Sequence, residues 1–314
     1  MAGDTKRPGE HADRQARSSG EAPTVRVRVP ATTANLGPGF DTLGLALGLH
    51  DHVELTALDD GPSVVEVHGE GAGRVPRDER HLVLKAACAT YDLAGVARPP
   101  LHLTCHNEIP HSRGLGSSAS AAVAGIVAAC ALLGPGKAPD DAAVLDLAAR
   151  FDGHADNVAA CLYGGLVVTW CEGGSYRGTR LTPRPEVVPV VFVSEHSSST
   201  EATRGLLPDR IPHADAAFTA ARSALVVHAL TCAPGLLLPA TEDRLHQPYR
   251  RPAYPATADL VDALRAAEVP AVVSGAGPTV LALTTGEPLP EGLPTSGFTT
   301  MWLPIDTEGA VVTG

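Results

Sequence analysis

Basic residues are in deficit in this 314-residue chain: 24 Lys and Arg against 35 Asp and Glu leave a formal net charge of −11. Neutralising a run of phosphates needs a basic face, so nucleic acid and acidic membrane surfaces are not expected partners, while a local basic pocket for a small anion stays open. Aromatics are 4% of the chain, so Ala, Val and Leu must fill the core. No apolar run reaches the ~20 residues that span a bilayer; the longest, Ala119 to Leu133, is Ala-rich and reads as a buried helix. Cys88, Cys105, Cys130, Cys161, Cys171 and Cys232 form no Cys-x-x-Cys pair and have no His cluster beside them, which fits reduced core thiols better than zinc sites or disulfides. The chain shows no fixed repeat period. Residues 1–23 lack the apolar centre of a signal peptide and read as a disordered tail. These absences together describe a cytoplasmic globular protein.

What is present is enough chain for one large domain or two of about 150 residues. Alternation in Val25, Val27 and Val29 predicts a first strand that ends at Pro30, followed by a small-residue loop to Asp41 and the apolar stretch Leu43 to Leu49. Further strands are expected at Val53–Leu58, Val64–His68 and Leu101–Cys105, with a helix over Leu82–Leu93. Gly164-Gly165 closes a helical region, so a boundary is placed there, giving units 24–165 and 166–314. The second unit reads as strand at Leu166–Trp170 and Val190–Val193, helix at Ala214–Leu230 and Thr257–Ala267, and strands at Ala271–Val273 and Thr279–Leu283 around Ser274-Gly275-Ala276-Gly277-Pro278.

Pro110-His111-Ser112-Arg113-Gly114-Leu115-Gly116-Ser117-Ser118-Ala119 runs straight into the buried helix. Its glycines let the backbone turn tightly, and the first N–H groups of a helix have no internal partner. With the positive end of the helix dipole they suit phosphate oxygens, and two serine hydroxyls can add donors or reach a cation. The same residues equally suit a capped helix after a turn. The P-loop pattern is absent, because Gly136-Lys137 is followed by Ala138.

This loop resembles the signature Pro-x-x-x-Gly-Leu-Gly-Ser-Ser-Ala of the GHMP kinases, the galactokinase, homoserine kinase, mevalonate kinase and phosphomevalonate kinase superfamily. Two more of that superfamily's motifs stand in order: Pro30-Ala31-Thr32-Thr33-Ala34-Asn35-Leu36-Gly37-Pro38-Gly39-Phe40-Asp41, and Ser274-Gly275-Ala276-Gly277-Pro278-Thr279. Mevalonate and isoprenoid kinases usually carry a lysine in the first motif, where Thr32 or Thr33 stands here. The Asn35-to-Asp41 string is instead similar to the homoserine kinase family. So are Gly153-His154-Ala155-Asp156-Asn157-Val158-Ala159-Ala160 with Gly164-Gly165, Ser199-Thr200 with Ala202 through Arg204 and Leu206-Leu207-Pro208, and Pro248-Tyr249-Arg250.

The resemblance implies an α+β, two-domain GHMP kinase fold with ATP and substrate in the interdomain cleft. It implies magnesium-dependent transfer of the ATP γ-phosphoryl group to the hydroxyl of L-homoserine, in threonine biosynthesis, by a cytoplasmic enzyme that is a homodimer. ATP then lies on Pro110 to Ala119, with His81 at the base. Asn35, Asp41, His154, Asn157, Arg204, Arg250, Gly275, Gly277 and, more weakly, His213 line the homoserine site. A zwitterion needs a carboxylate for its ammonium and a guanidinium for its carboxylate, roles open to Asp41 and to Arg250 and Arg204; singly, each of these residues equally suits a solvated surface or a helix cap. Asn157 would hold the attacking hydroxyl and Asp156 is the candidate base. Ser118 and Asp152 would hold magnesium. Asp152 stands where the family commonly has Glu, and His81 where homoserine kinases usually have Asn. Another GHMP small-molecule kinase, or a non-catalytic nucleotide or amino-acid sensor on the same fold, are the alternatives.

Overall fold

The computed structural model describes residues 22–197 and 200–313. Nearly all of the expected tail, and Ser199, therefore lie outside the described residues. The first half contains β1 (Thr24–Ala34), β2 (Leu43–Ala57), β3 (Val64–Gly69), α1 (Leu82–Leu93), β4 (Leu101–Asn107), α2 (Ser117–Leu133), α3 (Asp141–Asp152), α4 (Asp156–Tyr163), β5 (Leu166–Glu172) and β6 (Ser175–Leu181). The second contains β7 (Val188–Ser194), α5 (Thr200–Arg204), α6 (His213–Thr231), α7 (Leu237–Ala240), α8 (Gln247–Arg250), α9 (Pro255–Ala266), β8 (Ala271–Val273), β9 (Val280–Thr284), β10 (Phe298–Trp302) and β11 (Val311–Val312).

Contrary to expectation, β1 does not stop at Pro30. Its ladder with β2 shifts register between Pro30 and Ala31, an irregularity that accommodates the missing proline N–H. The strand thereby delivers Thr32 and Thr33, both fully buried, to the centre of the molecule. The apolar stretch after Leu43 and the strand expected from Val53 are one continuous strand, β2. It pairs with β1 over most of its length, with β4 over His52–Ala57 and with β5 over Leu43–Leu45.

The first sheet runs β11-β1-β2-β4-β3, extended by β5 on β2 and β6 on β5; the second runs β10-β7-β9-β8. The expected division after Gly165 falls inside the first sheet, because backbone pairing carries that sheet on to Leu181, and β11 returns to it from the end of the chain. The strand pairing puts the change of sheet between Leu181 and Val188.

Helices α2, α3 and α4 pack on the first sheet and α1 packs on α2, together enclosing a core of Val27, Val29, Leu55, Leu103, Val123, Ile126 and Val158 among others. In α2 small side chains are buried nearly all round, so the helix sits in the core as the run Ala119 to Leu133 predicts. A second core joins Leu36, Leu43, Leu45 and Leu47 to Val191, Val193, Val226, Val272 and Leu281, so that apolar packing runs unbroken between the two sheets. All six cysteines are free; Cys105 and Cys161 are buried, but Cys171 and Cys232 are exposed rather than in the core. No described helix is long and apolar enough to cross a membrane.

Candidate active site

Three loops meet where β1 ends. Ser274 Oγ lies 2.8 Å from Thr33 Oγ1 and 2.6 Å from the Gly114 carbonyl. Backbone bonds add Thr32 N to Leu115 O at 3.1 Å, Gly275 N to Ala34 O at 3.1 Å and Thr279 N to Arg113 O at 3.3 Å. Gly114 has φ +81°, and a Cβ there would overlap the Ser274 carbonyl, so only glycine permits this approach. Segments some 80 and 240 residues downstream of Thr32 are thus bolted to one strand end by buried hydroxyls and amides. A cleft of about 570 Å³ opens above the junction.

Along one wall runs the loop into α2. The residue before the helix is Gly116 at φ +70°, and no side chain caps the helix, so the first-turn N–H groups lack a side-chain acceptor and are free to bind an anion. The capped-helix alternative thereby loses its capping residue. Ser112, Arg113, Gly114, Gly116, Ser117 and Ser118 line the cleft. Arg113 is engaged: its guanidinium donates to the carbonyls of Ser194, His111 and Glu195, tying the loop to the end of β7. Leu115 and Ala119 point into the core and shape the loop from behind. Pro110 is half-buried and outside the cleft lining.

Ser112, Ser117 and Ser118 also line a second, more apolar pocket of about 260 Å³, whose wall includes Val75, Pro76, His81, Leu82, His111 and Ala121. Burial lowers the pKa of both His81 and His111, so both imidazoles are neutral at pH 7. His81 Nδ1 is buried without a hydrogen-bond partner. A flat heteroaromatic ring with its own donors and acceptors fits such a pocket.

On the opposite wall α3 ends at Asp152 and α4 begins at Asp156, separated by a turn that carries His154. His154 Nδ1 lies 3.4 Å from Asp152 Oδ2 and 3.2 Å from Asp156 Oδ1. Burial works to lower the His154 pKa, but the two flanking carboxylates outweigh it and push it up to about 10; the imidazole is a cation at neutral pH. Burial raises the pKa of Asp156, whose Oδ1 accepts from Asn157 N at 2.7 Å. The Gly153 turn is closed by Gly153 N to Ala149 O and by the Tyr176 hydroxyl on Gly153 O, bonds in which the Asp152 side chain takes no part. Asp152 and Ser118 face one cleft with hard oxygen donors of the kind magnesium takes, whereas a protonated His154 offers no lone pair to a metal at Nδ1.

At the far end Asp41, held at φ 55°, forms a two-pronged ion pair with Arg204 at 2.9 and 2.8 Å. Asn35 braces that loop: its Nδ2 donates to the Gly275 carbonyl and its Oδ1 accepts from Asp41 N. Arg250 is 1% exposed. It donates to the Gly275 carbonyl at 3.2 Å, makes no ion pair among the described residues, and its Nε is buried without a partner. Both guanidinium groups lie over the Phe40 ring, at 5.3 and 5.4 Å. Gly275 and Gly277 line the same cleft. His213 does not join the site; it is exposed at the start of α6 and absent from the cleft lining. Phe40, Phe151, Glu201 and Ala276 belong to this neighbourhood without having been singled out. Phe40 and Ala276 sit inside the quoted motifs, which is the signal that could have found them; Glu201 falls in the gap between Thr200 and Ala202, and Phe151 carries no motif.

The family signature described as GHMP kinases N terminal domain matches residues 81–165, and that described as GHMP kinases C terminal matches 232–292. The chain is 52% identical to a homoserine kinase of Streptomyces coelicolor over 294 residues, covering 93% of this chain and 95% of that protein. It is 56% identical to a homoserine kinase of Streptomyces avermitilis over 264 residues, covering 83% and 86%. Among solved structures, the crystal structure of homoserine kinase from Cytophaga hutchinsonii superposes with a TM-score of 0.80 at 25% identity, over 92% of this chain and 97% of that one.

Proposed function

The chain belongs to the homoserine kinase family of the GHMP kinases, and from that premise we propose L-homoserine as the alcohol that it phosphorylates with ATP. The carrying observation is Arg250: a buried guanidinium with no ion pair among the described residues, in the same cleft as the uncapped α2 N-terminus. A buried cation without a counter-ion is costly and matches a substrate carboxylate, which Arg grips through two parallel N–H groups. Asp41 supplies the matching anion for an α-ammonium group, sharing it with Arg204.

ATP places its phosphates over Gly114 to Ser118 and its base in the pocket of His81 and His111. Ser118 and Asp152 would hold magnesium, which when bound offsets charge on the phosphates. The acceptor hydroxyl oxygen forms a bond to the γ-phosphorus as the bond to the ADP oxygen breaks, and the hydroxyl proton is released, giving ADP, O-phospho-L-homoserine and H⁺. Such transfer is driven by positioning and electrostatic stabilisation. Asn157 holds the hydroxyl, the first-turn amides of α2 stabilise the migrating negative charge, and Asp156 is the carboxylate assigned to the proton. On this reading the enzyme acts on two small molecules in the cytoplasm, in threonine biosynthesis.

ADP release measured across L-homoserine, 4-hydroxybutyrate, 3-aminopropanol, mevalonate and galactose tests the substrate. Saturable turnover is expected with L-homoserine, with losses of more than a hundredfold when either charged group is removed; comparable turnover of 4-hydroxybutyrate or mevalonate would contradict it.

A further inference from the structure

We propose that Thr32 is a positioning residue that fixes the side-chain amide of Asn157, and so decides which face of that amide meets the substrates. The inference rests on the reading of Asn157 as the group that holds the acceptor hydroxyl. Thr32 is fully buried, and its Oγ1 donates to Asn157 Oδ1 at 2.8 Å while its backbone N donates to Leu115 O. An asparagine amide is two-sided, with a carbonyl that accepts and an NH2 that donates, and its neighbours choose the orientation. With the carbonyl engaged by Thr32, Nδ2 is left on the side of Asp156, 3.5 Å from Asp156 Oδ1. Asn157 therefore presents N–H donors, which suit the lone pairs of an acceptor hydroxyl or a phosphoryl oxygen. The reversed amide would set its carbonyl against the Asp156 carboxylate and against incoming phosphate oxygens, all of them acceptors.

Gly116 makes the arrangement possible. A Cβ there would overlap Thr32 Oγ1 and lie 3.3 Å from Asn157 Oδ1. The hydroxyl of Thr32 thus occupies the space between the phosphate loop and Asn157, so one side chain sets the spacing between the nucleotide and the acceptor. The β1 register shift after Pro30 brings it there.

Thr32→Val keeps the shape and removes the hydroxyl, whereas Thr32→Ser keeps the hydroxyl. Thr32→Val is expected to lower kcat by about tenfold, the rate equivalent of one neutral hydrogen bond, with KM for ATP and L-homoserine within about twofold of wild type. Thr32→Ser should restore most of kcat. Introduced into Asn157→Ala, Thr32→Val should cause no further loss, because two residues that act through one contact are not additive. Unchanged kcat in Thr32→Val, equal damage in Thr32→Ser, or full additivity with Asn157→Ala overturns the proposal. Wild-type protein assayed beside the variants separates the two readings: a wild type inactive on homoserine refutes the substrate. The Asn157 side-chain amide NMR signal, identified by its loss in Asn157→Ala, should then still shift in Thr32→Val, and an unmoved signal refutes the positioning role.

Discussion

Replacing Arg250 separates recognition from stability. The guanidinium is 1% exposed, its hydrogen bond to the Gly275 carbonyl is long at 3.2 Å, and that carbonyl already accepts from Asn35 Nδ2 at 2.8 Å. Its contact with Phe40 at 5.4 Å, at a site so little exposed, contributes about 2 kcal/mol. Against this stands the cost of burying a charge without a counter-ion, since apolar replacements of buried ionic groups are often neutral or stabilising by about 1–4 kcal/mol. Once the lost ring contact is subtracted, Arg250→Met is therefore expected to stay within about 2 kcal/mol of wild-type stability in either direction. The same variant should be almost inactive with homoserine. Arg250→Lys keeps the charge but loses the fork, and a charge-assisted hydrogen bond of about 1.5–3 kcal/mol converts at 1.4 kcal/mol per tenfold to a loss of about tenfold to 150-fold in kcat/KM for homoserine. KM for ATP should stay within about twofold. Urea unfolding and two-substrate kinetics on both variants supply the measurements. The reasoning is refuted if Arg250→Met loses more than about 2 kcal/mol of stability while Arg250→Lys keeps the wild-type kcat/KM for homoserine.

Asp41→Asn breaks the ion pair with Arg204, whose side chain is 40% exposed, so stability should change by less than about 1 kcal/mol, and asparagine tolerates the positive φ; steady-state kinetics should nonetheless show a KM for homoserine raised at least tenfold. Asp152→Asn should raise the magnesium concentration needed for half-maximal rate, since one negative donor is lost; a magnesium titration that superposes on wild type would leave Asp152 without a metal role. Burial raises the Asp51 pKa to about 6, against the pull of hydrogen bonds from Ile109 N and Glu108 N. The folded value exceeds the unfolded one near 3.9, so between these pH values the native state binds more protons and stability falls as pH rises. Asn can keep both hydrogen bonds, so the stability difference between Asp51→Asn and wild type should shift in favour of the variant by about 3 kcal/mol from pH 3.5 to pH 7, and a constant difference in denaturation midpoints would count against the assignment.

Much of the site is legible in the chain because it is carried by backbone conformation and small residues. Gly114 and Gly116 need left-handed backbone and close approach, and that requirement is written as glycine in the sequence. The helix after them follows from the Ala-rich run Ala119 to Leu133. Pairing across the sheet is less visible: nothing local says that β1 passes through Pro30 by a register shift, or that β5 adds to β2 and carries the first sheet beyond Gly165. Long-range hydrogen bonds decide both. Asp41 and Arg250 fit a zwitterion by residue type, yet only the fold places Arg204 on Asp41 and leaves Arg250 without an ion pair among the described residues. Thr32 is the instructive case, since a threonine in a small-residue loop gives no hint of a partner 125 residues away.

The most direct measurement is ³¹P NMR of the purified protein with ATP, magnesium and L-homoserine, followed without coupling enzymes. The account predicts that the ATP γ-phosphate signal is replaced, one for one with ADP, by a single phosphomonoester that co-resonates with O-phospho-L-homoserine. ATP converted only to ADP and inorganic phosphate, or left intact beside homoserine while another alcohol is phosphorylated, would contradict it.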